Sequence, residues 1–300
     1  MKSSSAASAS AGRGGFRRSR LLLEIAILGF ICWVGFDGFY WEPNHPKAEI
    51  HRLPTRKWAK GGKPIRLVQI SDLHLKKFGS REKRVVKIIR ELQPDLIVMT
   101  GDYLEDPLSI SCLKTFLNSL PNSAVKIATL GNIDHQIGVT EEEWRGIFSE
   151  FEVKLLVNSR LNLEFDSRPI CIIGLDDPST GKYQFSAIKH LSPTDFNLLL
   201  AHSPELYQLL QGKRIDLCLA GHTHGGQIRI PGIPSFWMPQ FNRKYRAGFY
   251  QKGGLLMYTN RGIGTTIYPV RFLCRPEIAL FEVTGSGLKG VLPKAREVDY

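Results

Sequence analysis

What most constrains this chain is a recurring arrangement: apolar runs that stop abruptly at side chains able to hold a cation. "IRLVQI" runs into "SDLHL", presenting Asp72 and His74. "DLIVMT" runs into Gly101 and Asp102, and "VKIATL" into Gly131 and Asn132. "FNLLLA" ends at His202, and "IDLCLA" at "GHTHGG", which holds His222 and His224. Short continuous apolar runs of this kind read as buried strands. Ligands of α/β sheets bind beyond the carboxyl ends of such strands.

Helical patterns lie between several of the runs. "SREKRVVKIIREL" opens at Ser80, a candidate N-cap, and stops before Pro94. "TEEEWRGIFSEF" has the capping-box spacing from Thr140 to Glu143, and "SPELYQLL" places Pro204 at a first helical position after Ser203. Strands alternating with helices argue an α/β layered domain. "ICIIGL" is a further strand, and "GLLMYT" and "IALFEV", with little helix between them, suggest a second and more antiparallel sheet. No internal repeat is visible.

Each polar cluster has an ordinary reading on its own. Asp-x-His is commonly a turn, Asp102 after a glycine suits a helix cap, and His-x-His fits an edge strand facing solvent. Five clusters, all at strand ends, are a different matter. On an extended chain, residues two apart point the same way, so Asp72 with His74, and His222 with His224, would each face one site. The expectation is a metal centre built from Asp72, His74, Asp102, Asn132, His202, His222 and His224.

These motifs, "DLH", "GD", "GN", "H" and "GHTHGG" in this order, resemble the calcineurin-like metallophosphoesterase superfamily from Ile65 to about Val283. The later "RGIGTT…PVRFLCRPEIALFEV" looks like its bacterial membrane-associated branch, which includes exported phosphoesterases and lipid A-pathway pyrophosphatases. The resemblance implies a four-layer αββα sandwich and two divalent metal ions. Asp72, His74 and His224 would hold one ion; Asn132, His202 and His222 would hold the other, with Asp102 bridging. Imidazole, carboxylate and amide ligands suit Mn2+, the first choice, or Fe, Zn or Co. Two such ions, about 3.5–4 Å apart, clamp a phosphoryl oxygen and activate a water for in-line attack.

One residue breaks the pattern. The family's third motif is Gly-Asn-His followed by an acid, and here Ile133 replaces the histidine thought to stabilise the transition state or protonate the leaving oxygen. Three explanations compete. The leaving group needs little protonation, as in a phosphoanhydride; His135 takes over the role; or the site binds metal without chemistry, as an interaction scaffold. Asp102, Asn132 and His135 are therefore the expected catalytic residues.

The N-terminus is a separate segment. Residues 1–20 are expected to be disordered and basic, 21–41 a membrane anchor or interfacial helix, 42–63 a linker and 64–300 the catalytic domain. "LLLEIAILGFICWVGF" is slightly short for a span and carries Glu24, yet basic and aromatic flanks suit a membrane interface. A buried helix of the fold is the alternative. Basic residues on both sides leave the sidedness open. Net charge is +12, which favours anionic partners. Arg229, Arg243, Arg261 and Arg271, with Arg275, are candidate phosphate contacts. The segment from Gly232 to Tyr250, mixing Phe236, Trp237, Met238, Phe241 and Phe249 with Arg243, Lys244 and Arg246, suits an acylated phosphorylated lipid or a bilayer surface, or is ordinary core beside a basic turn. No nucleic-acid module is recognisable, so no nucleic-acid partner is expected, and the chain is expected to be a monomer. Five cysteines without a paired framework argue against a disulfide scaffold. The expected substrate is the phosphoanhydride of a nucleotide-linked lipid precursor such as UDP-2,3-diacylglucosamine, with a general envelope phosphodiesterase or phosphatase as the alternative.

Overall fold

Continuous apolar runs place their strands where both faces are covered. β1 (Lys47–Thr55) and β2 (Gly61–Ile70) begin the first sheet, followed by β3 (Leu96–Thr100), β4 (Val125–Thr129) and β5 (Val153–Leu155). The second sheet takes β6 (Ser159–Phe165), β7 (Arg168–Gly174), β8 (Phe196–Leu200), β9 (Leu217–Ala220), β10 (Gly248–Lys252) and β11 (Leu255–Thr259). β12 (Glu277–Gly285) then returns to the first sheet, and β13 (Arg296–Glu297) edges the second. This computed structural model describes residues 8–233, 243–286 and 296–297.

The first sheet has the order β1-β12-β2-β3-β4-β5 and the second β13-β10-β11-β9-β8-β7-β6. β2 to β5 are mutually parallel, as are β7, β8, β9 and β11, so both sheets aim several carboxyl ends at one edge. Residues such as Leu67, Val98, Ile172, Leu198 and Phe281 interdigitate between the sheets. α2 (Ser80–Glu91), α3 (Ile110–Asn118), α4 (Asn132–Gln136) and α5 (Glu141–Ser149) complete the helical set after α1 (Ser8–Phe36). Val85, Ile89, Phe116, Trp144 and Phe148 cover the outer face of the first sheet. The outer face of the second is covered by 3-10 turns at Phe185–Ile188 and Pro204–Leu210, through Ile188, Leu206 and Tyr207. The result is the expected αββα order of layers.

Local signals were mostly legible. Thr140 Oγ1 accepts from Glu143 N at 3.2 Å, while Glu143 Oε2 accepts from Thr140 N at 2.8 Å, closing the capping box. At α2 the cap is Gly79 rather than Ser80, its N–H donating to Glu82 Oε2 at 2.8 Å. The late strands do not form an antiparallel sheet of their own. β11 lies parallel to β9 in the second sheet, and β12 crosses to the first, antiparallel to β2.

The segment expected as a linker, 42–63, is largely strand. β1 pairs in parallel with β12 from Lys47↔Glu277 to Thr55↔Gly285. Its charges and Pro54 hid it, because an edge strand with one open side tolerates both. The expected disorder of 1–20 is also replaced by helix from Ser8. Helix propagates once nucleated, so the apolar part carries its basic flank with it. Arg20 Nε lies 2.9 Å from Glu24 Oε1, giving the acid of the apolar run a partner one turn away.

Ser19–Asn44 is long and apolar enough to cross a membrane by length and composition. Its side chains are not covered by the domain: Leu22 is 67% exposed, Phe30 62% and Trp33 56%. That removes the alternative of a buried core helix. Among the described residues, the segment docks at its far end. Gly38 in a π-helical turn, Asp37–Trp41, accepts from Arg271 N at 2.9 Å, and Glu42 accepts from Leu273 N at 2.8 Å and from Cys274 N. All five cysteines are free thiols.

Candidate metal centre

The carboxyl ends of β2, β3, β8 and β9, and the turn after β4, deliver the expected residues to one place. Asp72, His74 and His224 offer ligand atoms that all lie within 4.8 Å of one another, and so do Asp102, His202 and His222. Asn132 joins the second group, with Oδ1 3.1 Å from His202 Nε2. Asp102 Oδ2 faces both groups, 3.2 Å from His202 Nε2 and 3.6 Å from His74 Nε2.

The backbone reaches this arrangement by a route different from the expected alternation. Asp72, His74, Asp102, His222 and His224 all have positive φ, from 42° to 68°. L-residues seldom adopt that conformation, and it concentrates at functional sites whose surroundings enforce it. Close backbone contacts do the enforcing. A Cβ at Gly221 would meet Asp72 Oδ2 at 2.5 Å, and one at Gly264 would meet His74 Cβ at 2.8 Å. His222 N also donates to Asp72 Oδ1 at 3.0 Å.

The donor set fits divalent cations. His202 Nδ1 lies 2.7 Å from the Thr100 carbonyl, which can only accept, so Nδ1 carries the proton. Nε2 therefore faces Asn132 Oδ1 and Asp102 Oδ2, two acceptors. It carries a proton there when no cation is bound, and would give up that proton to offer its lone pair to a divalent cation. His74 Nδ1 is 2.7 Å from Glu105 Oε1, which turns its Nε2 towards His224 Nε2 at 3.1 Å. Carboxylate–imidazole contacts of this kind orient metal ligands.

Electrostatics follow the burial. Burial works to raise the Asp102 carboxyl, but His202, His74 and the Ile133 N–H hold it below the usual carboxylate range. Burial likewise depresses the His202 imidazole, yet Asp102 and Asp72 lift it above its ordinary value. Burial pushes His222 down, with the His202 charge second, and pushes His224 down, with His74 second. Burial and the Asp102 charge push Asp134 up to about 7, although it accepts from Gly131 N, Asp102 N and Tyr103 N at 2.8, 2.7 and 2.9 Å.

The family described as Calcineurin-like phosphoesterase matches residues 65–226. The chain belongs to that family. An uncharacterised metallophosphoesterase of Bacillus subtilis, YkuE, is 32% identical over 249 residues, covering 81% of this chain and 87% of that protein. Phosphodiesterase YaeI of Escherichia coli is 29% identical over 249 residues, covering 81% and 90%. A Danio rerio transmembrane protein with metallophosphoesterase domain is 29% identical over 283 residues, covering 88% and 62%.

Within this phosphoesterase, the residue in the odd position has a backbone task. Ile133 N donates to Asp102 Oδ1 at 2.9 Å, while its side chain is half-buried and carries no donor. His135 sits on the short helix α4 rather than on a strand, and its Nε2 lies 2.7 Å from Asp176 Oδ1. It belongs to neither cluster among the described residues.

The expected phosphate contacts fare differently. Arg271 is fully buried and donates to the carbonyls of Gly264, Cys274, Arg261 and Gly262, so it braces a loop instead of meeting solvent. Arg261 is spent on Glu49 and Glu277, each at 2.9 Å. Arg229 lines a cleft with Ile230, Arg246 and Leu273, whose lining holds none of the seven candidate ligands. Arg243 is exposed, and Arg275 Nε donates to the His45 carbonyl at 2.9 Å. Phe236, Trp237, Met238 and Phe241 lie outside the described residues, while Phe249 packs between the sheets. The residues missed in sequence are Glu105, Asp176 and the loop glycines Gly262 and Gly264. Nothing local marks them, because each acts on a partner distant in the chain.

Proposed function

We propose that this phosphoesterase hydrolyses the phosphoanhydride of a membrane-borne, nucleotide-linked lipid precursor, with UDP-2,3-diacylglucosamine giving UMP and a lipid phosphate as the leading case. The observation that carries the reading is the pairing of Ile133, which has no proton to give, with His135, whose Nε2 is engaged by Asp176. Two divalent cations, Mn2+ being the first choice, would supply Lewis-acid charge to the phosphoryl oxygens and acidify a water when bound. The residues do the rest. Asp72, His74 and His224 would hold one position, Asn132, His202 and His222 the other, and Asp102 would offset the charge between them.

In the hydrolysis, a water oxygen bonds to phosphorus while the bridging P–O bond breaks, and the departing oxygen leaves on a phosphate. Such a leaving group needs far less protonation than an alkoxide. A site lacking a side-chain acid at position 133 therefore suits an anhydride better than a simple alkyl ester. The exposed apolar helix supports a reading in which the domain works at a lipid surface, and a monomer without a nucleic-acid partner is part of the same proposal. A nucleotide-linked substrate requires the domain on the cytoplasmic side.

The second reading, a general phosphodiesterase, is favoured by the similarity to the Escherichia coli phosphodiesterase. The deciding assay offers the detergent-purified protein with Mn2+ three substrates: UDP-2,3-diacylglucosamine, bis(p-nitrophenyl) phosphate and p-nitrophenyl phosphate. Fast UMP release from the first alone supports the anhydride reading. Comparable or faster cleavage of the simple esters rejects it in favour of the second.

A further inference from the structure

A cleft of about 680 Å³ opens between the end of the apolar helix and the candidate metal residue His74. One wall is aromatic: Phe39 and Tyr40 are 62% and 61% exposed, and Trp41 stacks on His45 with ring centroids 3.6 Å apart. The opposite wall comes from the loop after β2 and the start of α2, and carries Lys76 and Lys77. Both lysines are exposed and make no ion pair among the described residues. The neighbouring cations are already engaged, Arg81 Nε at 2.7 Å from Glu82 Oε1 and Arg84 donating to the Asn44 carbonyl at 2.6 Å. His74 lies in the lining.

The cleft is rigidly placed with respect to both of its ends. Gly38 and Glu42 bind the loop that carries Arg271, and the same loop presses Gly264 against His74. One loop therefore fixes the distance from the helix end to the metal centre. Exposed aromatic side chains at the end of an apolar helix belong at a lipid–water interface, where anionic head groups lie. The volume is that of an ordinary ligand pocket.

We propose that this cleft takes the anionic head group of a membrane lipid directly from the bilayer surface, with Lys76 and Lys77 contacting its phosphate and the aromatic wall flanking its glyceryl or sugar portion. The proposal rests on the lipid part of the function proposed above, but not on the reaction. Membrane lipid, and not a soluble phosphate ester, is the stated occupant.

The test is lysine footprinting by mass spectrometry on the full chain in nanodiscs of phosphatidylcholine, with or without phosphatidic acid. Acylation of Lys76 and Lys77 is expected to slow by about threefold or more with the anionic lipid, while Lys83, on the exposed side of α2, changes little. Soluble glycerol phosphate at equal concentration is expected to leave all three unchanged. Equal slowing at Lys83 would mean general surface attraction and overturn the proposal, as would no slowing at Lys76 and Lys77. Protection by glycerol phosphate alone would also overturn it, in favour of a soluble ligand. These readouts stand whether or not UDP-2,3-diacylglucosamine is hydrolysed. Where it is, the paired substitutions Lys76→Glu and Lys77→Glu are expected to raise KM for it by about tenfold with kcat little changed; an unchanged KM sinks the inference.

Discussion

The two halves of the metal centre are built by different means. Asn132 and His202 of the second half follow strands directly, and His202 is fixed by the Thr100 carbonyl at the end of β3. That half is partly open, since Asn132 and His222 are only half-buried. The first half, Asp72, His74 and His224, is fully buried and closed over by the distant loop of Gly262, Gly264 and Arg271. One half is held by local sheet geometry, the other by a long-range brace. The braced half is the more vulnerable to changes outside its own ligands.

Asp102 joins the halves, so its loss is expected to have the largest effect. Asp102→Ala should lower kcat/KM by about 10^3-fold or more, roughly 4 kcal/mol of transition-state stabilisation. Steady-state kinetics at saturating Mn2+ check this; residual activity within tenfold of wild type would mean that the halves act independently. Arg271→Met removes the brace and leaves several buried carbonyls without donors. A buried carbonyl left without its donor costs about 1–3 kcal/mol, read by urea denaturation, and the first half should lose its metal before the second. Equal loss from both halves would erase the distinction drawn here.

A smaller effect is expected from Glu105→Gln, which changes only the orientation of His74. Metal affinity of the first half should fall about 10- to 100-fold, with the second half unchanged, as followed by metal titration.

The smallest effect concerns pH. The Asp176 hydrogen bond raises the His135 pKa, outweighing burial, which works the other way. Burial would raise the Asp176 carboxyl, but the His135 hydrogen bond and charge hold it below its usual value. The histidine's contribution is complete below its unfolded pKa of about 6.5 and fades as pH rises through the raised folded value. The aspartate's contribution is complete above about 3.9 and fades as pH falls through the depressed folded value. Stability of wild type relative to His135→Asn should thus peak between these limits, by under about 1 kcal/mol for a partly exposed pair. A flat difference between pH 5 and 9 would show that the pair contributes nothing.

The layered fold and the residues that converge in the two candidate clusters were legible because buried parallel strands are apolar on both faces and their polar ends stand out. "LGNIDH" and "LAGHTHGG" need no structure to be recognised. What stayed hidden depends on partners far away in sequence. β1 looked like a linker because an edge strand can keep Lys47, Arg52 and Pro54. Arg271 looked like a phosphate contact because a charge surrounded by carbonyls of its own loop has the same letter as one facing solvent. The left-handed turns at Asp72, His74 and Asp102 carry no glycine to mark them, only residue types that tolerate the conformation better than most. Ile133 was visible as a departure, but its retained N–H bond to Asp102 was not.

The strand order of the first sheet sets a timetable. Because β12 separates β1 from β2, the first strand made has no neighbour until nearly the last is translated. The loop that presses on His74 and Asp72 arrives just before it. The apolar helix is made long before that moment, while the candidate metal centre still lacks its brace. Ribosome-bound intermediates ending before residue 260 would therefore be unfinished, and catalytic competence would arise late, in a single step, when the returning strand slides between its two waiting neighbours.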